Sequence, residues 1–403
     1  MLATYFIIVG VISKRKEVLE GNSIGRLSVI NLFVSLGISL SVTVWALFID
    51  SFVHSVALTG IISAGLTVFS IISFFLFIPL IERSDKGKLF FMSLFLLAVS
   101  YLLISLSKNL WVFLIFAVFL VGVQTVRLST FGIIIKDKSL KGETSSNEGM
   151  IYTFLNIGYV IGPLIAGYVL ASHGINKVFF LASIFIFFSL VVLKVFKVVD
   201  HSKLRKPHTD ILKNFISFFK DKNRVRAYIL GGGATTWWVL IYLFMPLFII
   251  NSGFSNSLVG YFLFAIAIPL ILFEYKFSSM VGKYGFKRIF SIGFLIGGVL
   301  TAVCFFFTNP LIIFSLLVLS AVGMAMLEPT TEAYFLETVS SRDASRFFGP
   351  YNTTRDLNQM TAKIIPSLLV LFLPFKAVFL FFGALLLLMF FITLSIKDDR
   401  GVE

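Results

Sequence analysis

The chain of 403 residues contains one cysteine and four histidines, and these scarcities exclude several chemistries. Cys304 alone can form no internal disulfide and no Cys-based metal cluster. His54, His173, His201 and His208 lie between the apolar stretches, leaving no imidazole metal site within them. Charged residues are 13% of the chain, about half the ~25% of soluble domains. No polar stretch is long enough for a soluble domain. No nucleophile–base pair or metal-ligand set lies in the apolar stretches. The glycines 231–233 have no Gly-Lys-Ser/Thr after them, so they are not a phosphate loop. Neither an enzyme nor a metal- or cofactor-dependent protein is expected.

What the chain has is apolar length. It is 58% hydrophobic, with 49 phenylalanines and a mean hydropathy of +0.98. Windows of about 20 apolar residues, enough to cross a bilayer as a helix, place twelve spans: 27–50, 56–81, 89–107, 110–135, 149–171, 177–198, 227–251, 256–281, 287–308, 311–337, 347–373 and 375–396. Only Lys108, Lys177 and Lys376 fall in one set of alternate loops, and the other set and the termini hold the remaining loop cations. That asymmetry puts both termini in the cytoplasm. It also explains the net charge of +14 without nucleic acid. A monomeric, multi-pass protein of the cell membrane, surrounded by lipid bilayer, is expected.

Residues 1–13 are apolar and precede Lys14, Arg15 and Lys16, the reverse of signal-peptide order. At about 1.5 Å per residue the run covers roughly 20 Å, short of the ~30 Å hydrocarbon core. An interfacial helix or a disordered tail fits it. The organisation expected is a cytoplasmic segment 1–26, a six-helix bundle 27–198, a cytoplasmic linker 199–226, a second bundle 227–396 and a tail 397–403. In the linker, Ile211, Leu212, Phe215, Ile216 and Phe219 recur at helical spacing with Lys213 and Lys220 among them, and Thr209 or Asp210 can cap. This suits either an amphipathic helix on the membrane surface or a solvated linker.

An internal repeat divides the chain. At an offset of 200, the segment 55–60 (SVALTG) overlies 255–260 (SNSLVG), and Arg83 overlies Lys283; at 201, Gly122 overlies Gly323. The loop after span 2, Glu82-Arg83-Ser84-Asp85-Lys86-Gly87-Lys88, has a counterpart after span 8, Gly282-Lys283-Tyr284-Gly285-Phe286-Lys287-Arg288. Span 5 carries Gly149, Gly158, Gly162, Pro163, Ala166 and Gly167. With these loops, this span and the repeat, residues 27–396 resemble the major facilitator superfamily. The first loop departs by Glu for Asp at 82 and Asp at 85 where Gly is usual; the second lacks the acid. The resemblance implies an all-α integral membrane fold, twelve transmembrane helices in two pseudo-symmetric six-helix bundles, and transport by alternating access. Span 5 resembles the glycine–proline pattern of antiporter branches, except that Ala166 replaces a glycine.

Physically, Gly158 and Gly162 form a small-xxx-small face for a neighbouring helix, and Pro163 removes a backbone hydrogen bond. Glu82, Arg83, Asp85, Lys283, Lys287 and Arg288 are candidates for a cytoplasmic gate whose contacts form in one conformation and break in the other. Setting topology is their simpler role.

Charge inside the spans is the sharpest signal. Arg127, Glu274, Glu328, Glu332, Arg355 and Asp356 fall roughly 9–15 Å from the cytoplasmic ends of their spans, and Lys363 lies deeper, at about 1.5 Å per residue. Each costs about 3 kcal/mol or more at such depth, so a mutually paired network is expected. Lys276 can reach the surface. Glu328 and Glu332 share a helix face, as do Asn352, Asp356, Gln359 and Lys363. These residues are the candidates for proton coupling, with a static network as the alternative. Asn31, Ser35, Asp50, Gln124, Trp238, Tyr242, Asn352 and Gln359 are candidates for a substrate cavity, although small polar residues in spans also serve packing. The expected function is proton-coupled antiport or efflux of small organic molecules, with the proton gradient as energy source and no cofactor. Ion-coupled import of a polar metabolite is the alternative.

Overall fold

The computed structural model describes residues 23–138, 144–196, 211–340 and 343–396. The segment 1–22, the linker before residue 211 and the tail after 396 lie outside the described residues, as do the Glu82 side chain and the surroundings of Gly149.

Spans 1 to 6 are the helices Ser23–Val53, Val56–Arg83, Lys86–Leu106, Leu110–Lys138, Thr144–His173 and Ile175–Phe196. The linker contains a helix, Ile211–Phe219. Span 7 runs from Lys222 to Val239, through a π-helical turn Leu240–Phe244, to Met245–Asn251. Spans 8 and 9 form one run, Ser257–Val303, broken at Gly285 (φ 76°, ψ 159°), a backbone conformation that only glycine adopts without strain. Spans 10 to 12 are Pro310–Glu337, Ala344–Phe372 and Ala377–Thr393.

Among the described residues there is no strand, and nine helices are long and apolar enough to cross a membrane. The longest, Ser257–Phe306 at 50 residues, contains two of the expected spans. Span 11 carries Arg346, Arg355, Asp356 and Lys363, which lower its hydropathy, and span 12 is an apolar helix of 17 residues. The fold is thus an all-α integral membrane protein. Side-chain caps fix three helix starts. Asp85 accepts from the Lys88 amide, Asp221 from those of Asn223 and Arg224, and Asn309 from Leu311.

Contacts divide the chain into two compact units, and the division cuts through helices. The first unit takes the described parts of Met1–Ser41, Ser73–Gly162 and Asn176–Pro207; the second those of Val42–Ile72, Pro163–Ile175 and His208–Glu403. A span is long enough for its two ends to pack on different partners.

In the first unit, span 5 presses on span 1. A Cβ on Gly158 or Gly162 would collide with Ser35 or Ser39, and the Ser39 hydroxyl donates to the Gly158 carbonyl at 2.9 Å. Ser183 ties span 6 to the Ala98 carbonyl of span 3 at 2.8 Å. In the second unit, Phe218 of the linker helix is fully buried among Tyr228, Phe335 and Phe347. Arg224 reinforces the seat by donating to the Ser217 and Phe218 carbonyls while lying 4.2 Å over the Phe347 ring. The linker helix is therefore anchored by Phe218, outside the apolar stripe read from the sequence.

The repeat reappears as contacts in the second unit. A Cβ on Gly60 would strike Ser367 and approach the Lys363 carbonyl; one on Gly260 would strike the Pro163 carbonyl and Gly167. Gly60 and Gly260 are repeat partners at offset 200, and so are Lys363 with Pro163 and Ser367 with Gly167. Span 2 meets span 11 by the same register in which span 8 meets span 5.

Candidate functional site

Span 11 has two working faces. Tyr351, Thr354, Asn358 and Ala362 face the packed side. The bare Cα of Gly231 makes room for the Tyr351 hydroxyl, 2.6 Å from where a Cβ would stand, and Gly232 admits Asn358. Thr354 donates to the Tyr228 carbonyl at 2.6 Å, and Asn358 donates to the Thr354 carbonyl at 2.8 Å. The glycine run of span 7 is thus a bed for span 11. The other face carries Asn352, Asp356, Gln359 and Lys363; Asn352 is exposed and the rest are half-buried.

Spans 8, 10 and 11 of the second unit bring charge together here, with Trp238 of span 7 beside them. Glu328 of span 10 has Arg355 of span 11 and the Trp238 indole of span 7 as its polar neighbours. Glu274 of span 8 faces Glu328. Asp356 lies between Arg355 and Lys363. Glu332, one turn beyond Glu328, lies beside Tyr351, whose other polar neighbour is Thr331. Glu328 and Glu332 on the helix Pro310–Glu337, and Arg355 on the helix Ala344–Phe372, lie on the exposed sides of their helices. Trp238 stacks on Tyr242 (5.5 Å, 26°), and Tyr242 lies in the π-helical turn, a helix distortion common at functional sites.

The expected network differs in its pairing. Among the described residues, neither Glu274, Glu328 nor Asp356 lies within ion-pair distance of a Lys or Arg. Arg355 and Asp356 are successive on one helix, so their side chains diverge by about 100°. The Lys363 ammonium donates at 2.7 Å to the Thr67 hydroxyl of span 2. Thr67 donates in turn to the Ser63 carbonyl at 3.0 Å, and Ser63 to the Thr59 carbonyl at 2.8 Å. Lys276 is exposed.

Arg127 belongs to the first unit. Its guanidinium is 4% exposed and donates to Gln124 Oε1 at 3.0 Å, with the Tyr101 and Tyr159 hydroxyls as its other electrostatic neighbours. Among the described residues no carboxylate pairs with it. Asn31, also buried in this unit, has an Nδ2 with no hydrogen-bond partner among the described residues. Ser35 lies against Gly158 and donates to the Leu32 carbonyl at 2.9 Å. Asp50 accepts from Thr59 Oγ1 at 3.3 Å in the second unit.

At the loops, Arg83 is exposed and Asp85 serves as a cap. Lys283 and Arg288 lie over the Tyr284 ring, at 5.3 and 5.2 Å, and Lys287 is half-buried. Thr67, Tyr101, Tyr351 and Thr331 were missed by sequence reasoning. Thr59, Ser63 and Thr67 recur at four-residue intervals, a legible polar stripe; a tyrosine hydroxyl in an apolar span gives no comparable signal.

The family model described as Major Facilitator Superfamily matches residues 27–275 and 234–402. No curated protein matches the chain. Among solved structures, a POT family transporter in complex with 5-aminolevulinic acid shares 13% identity at a TM-score of 0.76, over 92% of this chain and 95% of the other. The peptide transporter POT in complex with sulfate shares 14% identity at 0.74, over 93% and 94%. The nucleoside transporter NupG shares 13% at 0.75, over 93% and 100%. At these identities the likeness is one of fold.

Proposed function

Because the chain belongs to the Major Facilitator Superfamily, a family of secondary transporters, we propose that it couples movement of a small organic solute to protons through the carboxyls of spans 8, 10 and 11. The observation that carries this reading is the group Glu274, Glu328 and Asp356, set at membrane depth with no cation in ion-pair reach among the described residues. A carboxyl so placed gains and loses its proton whenever water reaches it, and intramembrane acids of this kind form proton relays. Arg355 and Lys363 lie close enough to stabilise the ionised form in one state and to release it in another. The leading direction is exchange, with protons entering as solute leaves, in keeping with the glycine–proline pattern of span 5.

Reconstituted protein tests it. With an imposed pH gradient and a broad solute panel, the wild type accumulates its substrate, and Glu328→Gln abolishes accumulation while retaining solute counterflow. Full gradient-driven accumulation by Glu328→Gln would remove that residue from the mechanism.

A second reading, import of a polar anionic metabolite, is favoured by Arg127. A buried guanidinium has five donors, and here one is given to Gln124. A solute carboxylate or phosphate would take two more in bidentate fashion. Everted vesicles with a pH-sensitive dye separate the readings: export by exchange alkalinises the lumen when solute is added outside, and co-transport acidifies it.

A further inference from the structure

The geometry points to an anionic-phospholipid site on the second unit, in a groove of about 450 Å³ lined by Phe219, Lys222, Val225, Arg226, Ile229 and Ile392. This site is separate from the charged face of span 11 and from the coupling reading above.

Four lining residues come from the first two turns of span 7, at positions i, i+3, i+4 and i+7, so they share one helix face. Along the axis they run Lys222, Val225, Arg226, Ile229, so both cations lie nearer the start of the helix than Ile229 does. Lys222 and Arg226 stand where the chain enters its apolar run, and Ile229 lies about 10 Å further along than Lys222, at about 1.5 Å per residue. Ile392, near the end of span 12, forms the facing apolar wall. Phe391 and Leu394, its neighbours in sequence, are exposed (64% and 48%). Phe219 closes the rim and is held there by its neighbour Phe218, which is buried.

The charges of the groove are available. Lys222 is exposed and, among the described residues, makes no hydrogen bond or ion pair. Arg226 gives one N–H to Asn223 Oδ1 at 3.1 Å and keeps its remaining donors. The intervening Arg224 turns the other way, onto Phe347 and the linker helix. The adjacent acid, Asp221, is occupied in capping span 7. A phosphodiester between Lys222 and Arg226 would meet two cations four residues apart, and an acyl chain would follow Val225, Ile229 and Ile392 inward. A free phosphate has no use for the apolar wall, and a neutral headgroup none for the cations. The occupant that matches both is a membrane phospholipid with a net negative head.

The test is native mass spectrometry of the purified full-length protein released from micelles holding equal phosphatidylglycerol and phosphatidylcholine. The wild type should retain phosphatidylglycerol about thirtyfold more often, the size expected of two cations at an anionic headgroup. Lys222→Gln with Arg226→Gln should reduce that preference to near parity, whereas Lys213→Gln with Lys220→Gln, in and just after the linker helix and outside the groove lining, should leave it. Ile229→Trp fills the trough with the cations intact and should also weaken retention. Thermal unfolding in phosphatidylcholine alone checks that each variant is folded. Equal retention of the two lipids by the wild type, an unchanged preference in the Lys222/Arg226 variant, or displacement by millimolar inorganic phosphate would each overturn the proposal.

Discussion

Lys363 is the most deeply set cation of span 11, and its ammonium rests on a hydroxyl rather than a carboxylate. A charged donor to a neutral oxygen makes a weaker anchor than an ion pair but a more easily exchanged one. Asp356, two helical turns away on the same face, is the alternative partner within the unit. If Lys363 alternates between them, Thr67→Val should slow driven flux less than Lys363→Met does, because the ammonium keeps Asp356 as its other partner. Lys363→Met should slow driven flux at least about tenfold, or about 1.4 kcal/mol. The double variant should be no worse than Lys363→Met alone, which initial rates in proteoliposomes will show. Additive losses would mean that Thr67 and Lys363 act separately. Trp238→Phe belongs to the same scale. It removes the indole beside Glu328 while keeping an aromatic ring over Tyr242, so driven flux should fall more than solute binding does.

At the scale of helices, glycine decides which faces meet. Gly158 and Gly162 hold span 5 against span 1, and a leucine at either overfills that crossing at a cost of about 1–3 kcal/mol. Gly60 and Gly260 are different. They hold the span 2–span 11 and span 5–span 8 contacts, which lie at the ends that the positive-inside pattern assigns to the outside. Gly260→Leu should force span 8 away from Pro163 and Gly167 and leave that end open. Cysteines placed near residues 57 and 261 should then react faster with an impermeant maleimide than in the parent. Unchanged labelling in a folded Gly260→Leu protein would show that this contact does not close the end. The π-helical turn at Leu240–Phe244 is a third device of this kind, and apolar composition gave no warning of it.

At the scale of the whole molecule, topology is the first matter to test. Cys304 is buried, so single cysteines elsewhere can be labelled over a low background. Cysteines at Lys108, Lys177 and Lys376 should react with an impermeant reagent from outside intact cells, and ones at Arg83 and Lys283 only after permeabilisation. Any reversal of that order would overturn the orientation and, with it, the direction of proton flow proposed for the carboxyls.

Much of this protein was legible in the sequence because hydrocarbon leaves few choices. Backbone polar groups must bond within each span, so apolar length alone dictated an all-helical membrane protein, and cations in the loops set the orientation that cysteine labelling is to test. The repeat was also legible, since duplicated halves keep glycines where helices must touch, and Gly60 and Gly260 prove to be such points. Which charges meet was not legible. Helical periodicity sets the face on which Glu328 or Asp356 lies, but not the helix opposite. Only the tertiary structure placed Glu274 and Trp238 against Glu328, gave Lys363 to Thr67, and set Arg127 in a different unit from the four acids. A side chain's partner depends on how neighbouring helices cross, and that geometry follows from the summed packing of many residues rather than from any local pattern.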